Sequence, residues 1–344
     1  MIIVTGGTGL LGSHLLAELV KQPVKIVAVR RHSSDLEEVK RVFSYYGNET
    51  SELFDRIAWV DLDLMNRVDL ENILKDADRV YHCSAMVSFQ PRDRRTMIDY
   101  NVHSTANVVD ACMASGVQKL VHVSSSSAIG RPPLGMQADE TMIWARSKTS
   151  SGYAVSKFRS EMEVWRGIEE GLNAVIVNPT IILGGGFWDK GSSAMFSRIF
   201  KGLRYATPGV TGYVGVENVV TAMIRLMESD ISGERFIING ENHSFLDIFR
   251  MIRGALWEYS NRPRNRRHFK TVSPATLRVL TRLDALAGLV TGKRSITSDQ
   301  VISAFSEVRF SNKKIKQAIG IEFSPIIEVI DSVAALYVRD HLES

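Results

Sequence analysis

The sequence predicts an α/β protein: a doubly wound parallel sheet with a smaller, mainly helical C-terminal substrate lobe. Three observations predict it. Short Val- and Ile-rich runs alternate with amphipathic stretches through the first half of the chain. Within those runs polar and apolar residues do not alternate, which is the pattern of strands covered on both faces. The first run leads at once into a glycine-rich turn that opens a helix.

Strands are expected at residues 2–4, 24–29, 57–60, 79–82, 119–123 and 174–177. Helices are expected between them, at 10–20, 35–46, 69–75, 94–115 and 152–170. Repeated strand–helix–strand units imply parallel pairing with helices on both faces. After Pro179 the pattern loosens. Residues 183–188 read as loop, 192–201 as helix, 212–216 as a short strand, 219–228 as helix and 235–238 as strand. From Ser244 onward helices dominate. The expected division is a dinucleotide domain over 1–183, to which 212–240 returns, and a substrate lobe from 184–211 and 241–344.

Composition excludes several classes. Of the 344 residues, 44% are hydrophobic and 23% charged, a balance that argues against disorder. A net charge of +4 gives no reason to expect a nucleic-acid partner. Cys83 and Cys112 sit in apolar stretches at a spacing that matches no metal site, so no metal is expected and both read as buried, reduced thiols. The chain opens on a core strand rather than a signal peptide, and no apolar run is long enough to span a bilayer. A cytoplasmic location is the expectation, and a homodimer is left open.

Thr5-Gly6-Gly7-Thr8-Gly9-Leu10-Leu11-Gly12 follows the first strand. Gly6 permits a tight turn, Gly9 lets backbone N–H groups approach a pyrophosphate, and Gly12 allows close helix–strand packing. The helix N-terminus favours the anion. Gly6, Thr8, Gly9, Leu10, Leu11 and Gly12 are therefore the expected phosphate contacts of a Rossmann-type fold. The second strand ends in Val29-Arg30-Arg31-His32, with no carboxylate until Asp35. An arginine fork suits a ribose 2′-phosphate, so Arg30 favours NADP, with NAD as the alternative.

Tyr153-Ala154-Val155-Ser156-Lys157 puts a tyrosine and a lysine on one helical face. A nearby ammonium lowers a phenol's pKa from about 10, fitting the pair for acid–base work on a carbonyl or carbinol oxygen. Ser124-Ser125-Ser126-Ser127 lies at the C-terminal end of a predicted strand, where open parallel sheets bind ligands. One of these hydroxyls is expected to hold the substrate oxygen.

The glycine loop, the strand-end serines and Tyr-x-x-x-Lys, in this order, resemble the extended short-chain dehydrogenase/reductase superfamily, the NAD-dependent epimerase/dehydratase family. The resemblance covers nearly the whole chain. It implies catalytic roles for Ser125 (with Ser126 as fallback), Tyr153 and Lys157, and cofactor contacts at Tyr153 and Lys157, the lysine holding the nicotinamide ribose. It implies adenine contacts at Asp63 and Leu64, small residues Ser84 and Ala85 against the cofactor, a structural Asn101, and a turn at Asn178-Pro179-Thr180 beside the nicotinamide. It also covers residues 212–219 as a strand–helix junction and Phe310 to Lys314 as a late helix start. Ser126 and Ser127 stand where the dehydratases carry an Asp–Glu pair, so dehydration is not expected. Thr211 stands where the epimerases place a diphosphate-binding arginine, and Asn218 replaces a usual Asp. What remains is similar to the dihydroflavonol-4-reductase and 3β-hydroxysteroid-dehydrogenase-like branch. That branch works on ketones and secondary alcohols, often apolar ones.

The C-terminal lobe carries a basic cluster at Arg262, Arg264, Arg266, Arg267, His268 and Lys270, followed by an apolar helical stretch at 275–290. A lobe helix over the cleft with a solvated basic loop is preferred to a membrane-surface site. Phe187, Trp188, Phe196 and Tyr205 are candidates for an apolar pocket, and core packing explains each equally well. The expected activity is reduction of a ketone or aldehyde, or the reverse oxidation. The alternatives are an NAD-dependent sugar-nucleotide epimerase and a non-catalytic dinucleotide-binding regulator.

Overall fold

The computed structural model describes residues 1–133, 135–147, 150–260, 268–273, 301 and 304–342. The chain begins β1 (Ile2–Thr5), α1 (Leu10–Leu19), β2 (Ile26–Arg30), α2 (Glu37–Tyr45), α3 (Asn48–Glu52), β3 (Ile57–Asp61) and α4 (Arg67–Leu74). It continues with β4 (Arg79–His82), α5 (Arg94–Ala114), β5 (Lys119–Val123), β6 (Gln137–Ala138), α6 (Gly152–Glu169), β7 (Ala174–Pro179) and β8 (Ile181–Leu183). Then come α7 (Ala194–Phe200), β9 (Tyr205–Ala206), β10 (Val210–Gly215), α8 (Val216–Glu228), β11 (Glu234–Ile238), β12 (Glu241–Ser244) and α9 (Phe245–Tyr259). The described chain closes with β13 (Lys270–Thr271), β14 (Arg309–Phe310), α10 (Lys313–Ile319) and α11 (Ile326–Leu342).

Seven strands form one sheet in the order β11-β7-β5-β4-β1-β2-β3, and every pairing in it is parallel. The order reverses direction between β1 and β4, the switch point at whose carboxyl edge such sheets bind ligands. The parallel pattern follows from the sequence, because Ile2, Ile3 and Val4 are all buried and neither sheet face is left to solvent. One face packs on α1 and α8 through Leu15, Leu16, Leu19, Val220 and Met223. The other packs on α4, α5 and α6 through Leu70, Leu74, Val108, Cys112 and Val164. Burying each such side chain contributes about 1.5–3 kcal/mol.

A separate apolar cluster joins β10, α7, α9 and α11 through Tyr213, Phe196, Ile252 and Tyr337, with Trp188 and Phe187 buried nearby. Tyr205 differs from its expectation as a pocket residue: it is exposed on the two-residue strand β9. The strand expected at 212–216 begins two residues earlier and joins β8 and β12 rather than the large sheet. β6, β9, β13 and β14, two residues each, were not legible, because two residues carry no periodicity. Arg262, Arg264, Arg266 and Arg267 and the apolar stretch at 275–290 lie outside the described residues. Among the described residues no helix is long and apolar enough to cross a membrane.

Candidate active site

The turn after β1 is shaped by two close approaches. Gly6 has φ +72°, and a Cβ there would lie 2.6 Å from the backbone N of Ser84, at the end of β4. A Cβ on Gly12 would lie 2.2 Å from the Gly6 carbonyl oxygen. The loop is thus pressed against the switch point and against its own helix. α1 starts at Leu10 with Gly9 as N-cap and no capping side chain. The first N–H groups of an α-helix have no intrahelical partner and suit an anion. Gly9 is exposed, Thr8 and Leu10 are half-buried, and Leu11 and Gly12 are buried. This open cradle fits the diphosphate of a dinucleotide.

Ser125, Tyr153 and Lys157 converge beside it. Ser125 follows β5, and its hydroxyl lies close enough to the Tyr153 hydroxyl to act on it. Ser125 Oγ also accepts the Ser127 N–H at 3.1 Å. Tyr153 stands in the first turn of α6, whose N-cap Ser151 accepts the Ala154 N–H at 3.0 Å. Such a cap stabilises a helix start by about 1 kcal/mol. Burial raises the Tyr153 phenol, and the Ser125 hydroxyl pulls the other way. The depression expected from Lys157 is absent here: the Lys157 Nζ donates instead to the Val123 carbonyl at 3.0 Å. Burial pulls Lys157 down to about 8, opposed by Cys83 and Glu161.

A buried polar frame holds this trio. Asn101 on α5 accepts the Met86 N–H at 2.7 Å and donates to the Met86 carbonyl at 2.9 Å and to Ser156 Oγ at 2.7 Å. It therefore ties the segment after Ser84 and Ala85 to α6. Asn178 Nδ2 donates to the Ser125 carbonyl at 3.0 Å, and the adjoining Pro179 ends β7, buried. His82 shares hydrogen bonds with Thr5 at 2.7 Å and Thr105 at 3.2 Å. Its ring lies 5.2 Å from that of His122, whose two nitrogens lack a hydrogen-bond partner among the described residues. Both imidazoles are held well below the usual histidine range by burial first.

At the far end of the cleft, Arg30 is not free. Its Nε donates to Asp61 Oδ1 at 2.6 Å, and His32 contacts the other carboxylate oxygen at 3.0 Å. Hydrogen bonds from His32 and Arg30 hold the Asp61 carboxyl below its usual range. Asp63 Oδ1 accepts the Met65 N–H at 3.0 Å, and the Leu64 carbonyl accepts from Asn107 at 3.0 Å. These contacts fix the turn after β3, beside the expected adenine position.

Asp61 and Glu161 escaped the sequence reading. Asp61 becomes visible only when β2 and β3 are paired, because Arg30 and Asp61 are cross-strand partners. Glu161 had a local signal: it lies four residues after Lys157 and eight after Tyr153, on the same helical face. Phe89 was also missed. It is 41% exposed, with its ring 5.8 Å from that of Tyr153.

Residues 2–239 match the profile of the NAD dependent epimerase/dehydratase family. Sterol demethylase protein B of Methylococcus capsulatus is 30% identical over 272 residues, 77% of this chain and 76% of that protein. A putative dihydroflavonol 4-reductase of Synechocystis sp. is 28% identical over 253 residues, 71% of this chain and 69% of that protein. The crystal structure of a UDP-glucose 4-epimerase from Thermotoga maritima superposes with a TM-score of 0.75 at 19% identity, covering 98% of this chain and 99% of that one.

Proposed function

Because the chain belongs to the NAD dependent epimerase/dehydratase family, and is an NAD(P)-dependent enzyme of the extended short-chain type, we propose that it reduces a ketone or aldehyde on a small, apolar molecule. The reverse oxidation uses the same groups. The observation that carries this reading is the convergence of the Ser125 and Tyr153 hydroxyls at the carboxyl edge of the sheet, one helical turn from Lys157.

The bound dinucleotide supplies or accepts a hydride. Gly6, Thr8, Gly9, Leu10, Leu11 and Gly12 would hold its diphosphate, Asp63 and Leu64 its adenine, and Ser84, Ala85 and Pro179 its nicotinamide end. Arg30 would take a 2′-phosphate. Tyr153 donates the proton at its hydroxyl, and its raised pKa keeps that proton in place at neutral pH. Ser125 orients the substrate oxygen against the Tyr153 hydroxyl. Lys157 sets the charge beside them and would hold the nicotinamide ribose.

An apolar substrate is supported by Phe89, 41% exposed with its ring 5.8 Å from that of Tyr153, and by Val87, 60% exposed two residues earlier in the chain. The similarity to the putative dihydroflavonol 4-reductase supports reduction. Thr211 and Asn218 stand where the epimerase reading needs charge, which counts against that rival. The two free cysteines support a reducing, cytoplasmic setting. The test is a panel of apolar ketones and aldehydes with NADPH or NADH, followed by loss of cofactor absorbance. Stoichiometric cofactor oxidation is expected, and interconversion without net oxidation would replace this reading.

A further inference from the structure

Glu161 is 0% exposed, yet no step of the proposed reaction uses it. Its carboxylate is the meeting point of four elements. Oε2 accepts from Ser124 Oγ at 2.6 Å and from Asn178 Nδ2 at 2.8 Å. Oε1 accepts from Arg235 Nη1 at 3.1 Å and from Trp165 Nε1 at 3.3 Å. We propose that Glu161 is a positioning residue that locks the Ser125 strand end and the Lys157 ammonium into one unit. The inference rests on the reading of Ser125, Tyr153 and Lys157 as the reacting site.

Three consecutive residues lead out of β5, and each is held at one point. Lys157 holds the Val123 carbonyl, Glu161 holds the Ser124 hydroxyl, and Asn178 holds the Ser125 carbonyl. Asn178 is itself fixed by Glu161 through the same amide nitrogen. Two of the three clamps therefore depend on one carboxylate. Removing it leaves the Ser124 hydroxyl buried without its acceptor and Asn178 held by the Ser125 carbonyl alone, so Ser125 loses its register against Tyr153.

The second part of the unit is electrostatic. A carboxylate buried among apolar residues is costly unless it is paired and hydrogen-bonded. Arg235, 14% exposed on β11, supplies the pairing, and it is itself anchored by donating to the Glu140 and Met142 carbonyls. Lys157 lies one turn back on the same helix. The other groups facing Lys157 are the Cys83 thiol and the His82 imidazole from β4 and its end, and the His122 imidazole from β5. The histidines are neutral and the thiol is protonated, since burial drives each that way. Glu161 is thus the charged neighbour that supports the ammonium against burial.

The experiment compares three variants over pH 6 to 10, reading kcat/KM and, separately, NADPH and NADH affinity by fluorescence. Glu161→Gln keeps the shape and removes the charge. An opposite charge within about 4–6 Å favours the charged form by about one pH unit or more. The alkaline limb should therefore move down by about one unit in both profiles, with about tenfold lower kcat/KM at pH 9. Ser124→Ala removes one clamp and keeps the charge; it should lower kcat/KM at every pH without moving the limb. Arg235→Gln leaves Glu161 less neutralised, so its limb should move up. Equal loss at every pH in Glu161→Gln overturns the proposal, as does an unmoved limb. If Glu161→Gln does not fold, Arg235→Gln carries the test, and a limb that stays or moves down overturns it. Cofactor affinity needs no carbonyl substrate. A limb shift there without any reductase activity would retain the Glu161–Lys157 unit and reject the reaction.

Discussion

Arg30 and Asp61 face each other across the ends of β2 and β3, Nε to Oδ1 at 2.6 Å. In the proposed site these two side chains would meet the adenosine ribose. A free arginine would favour a 2′-phosphate, whereas a carboxylate accepts from a 2′-hydroxyl and repels the phosphate. This protein carries both, in contact. Arg30→Ala should lower the preference for NADPH over NADH by about tenfold, the loss of one charge-assisted hydrogen bond. Asp61→Asn should raise it, by freeing the guanidinium and removing the repulsion. Fluorescence titration of each variant with both cofactors reads the ratio directly. Identical ratios in all three proteins would remove both residues from cofactor choice. The pair is partly exposed, so its influence should weaken at high salt.

Tyr153→Phe keeps the ring beside Phe89 and removes the hydroxyl that meets Ser125. Turnover should fall by about 10²–10⁴-fold, the range of a positioned acid–base group. Melting temperature and cofactor affinity should barely change. Lys157→Met should lower both turnover and cofactor affinity, because the ammonium is assigned to charge and to binding. A Tyr153→Phe protein with full activity would refute the assignment.

Acid should destabilise the fold in a defined window. His14 is buried, and burial lowers it from 6.5 to about 4 despite its contact with the Gly185 carbonyl. Its folded pKa lies below the unfolded one, so the unfolded state binds more protons between the two values. Stability is fully present above pH 6.5 and is lost as pH falls towards about 4, by about 3 kcal/mol from His14 alone. His82 and His122 act in the same direction. Urea midpoints at pH 8, 6, 5 and 4 trace the decline. His14→Gln should flatten it, and an unchanged slope would assign the loss to other groups.

Nucleotide sugars should bind with negligible affinity. Thr211 lies on β10, paired across the strand with His243, where the resemblance to epimerases calls for an arginine. Asn218 spends its side-chain oxygen on the Ser324 N–H at 3.3 Å. Calorimetry with UDP- and TDP-sugars measures this, and micromolar binding of any of them would favour the epimerase.

The legible parts of this fold are those with local signatures. β1, the glycine turn and α1 are read from the eighteen consecutive residues Ile2–Leu19, and Tyr153–Lys157 from five. Arg30 was read correctly as a cation at the β2 end, but its partner lies 31 residues away and is joined only by sheet register. Lys157 was expected to face the phenol. Its Nζ instead meets the Val123 carbonyl, a group any sequence would supply there. Within a run of four serines only the family resemblance points to Ser125, and composition does not separate it from Ser126. The approach of the Ser125 hydroxyl to that of Tyr153 is made only by the tertiary fold.

Tyr45 at the end of α2 donates to Asp340 of α11, which also accepts from Trp188 Nε1 at 2.8 Å. The Tyr45–Asp340 contact closes a loop of 295 residues. Contacts of such separation are entropically slow to form and are made late in folding. Its neighbour Tyr46 meets His14 at 2.7 Å, and His14 stands four residues after Leu10. During synthesis the segment of α1, proposed to receive the diphosphate, is therefore made long before the residue that braces it exists. A nascent chain with its first sheet strands complete would carry the glycine turn without this last brace. Full cofactor affinity would then mark the end of assembly rather than its beginning.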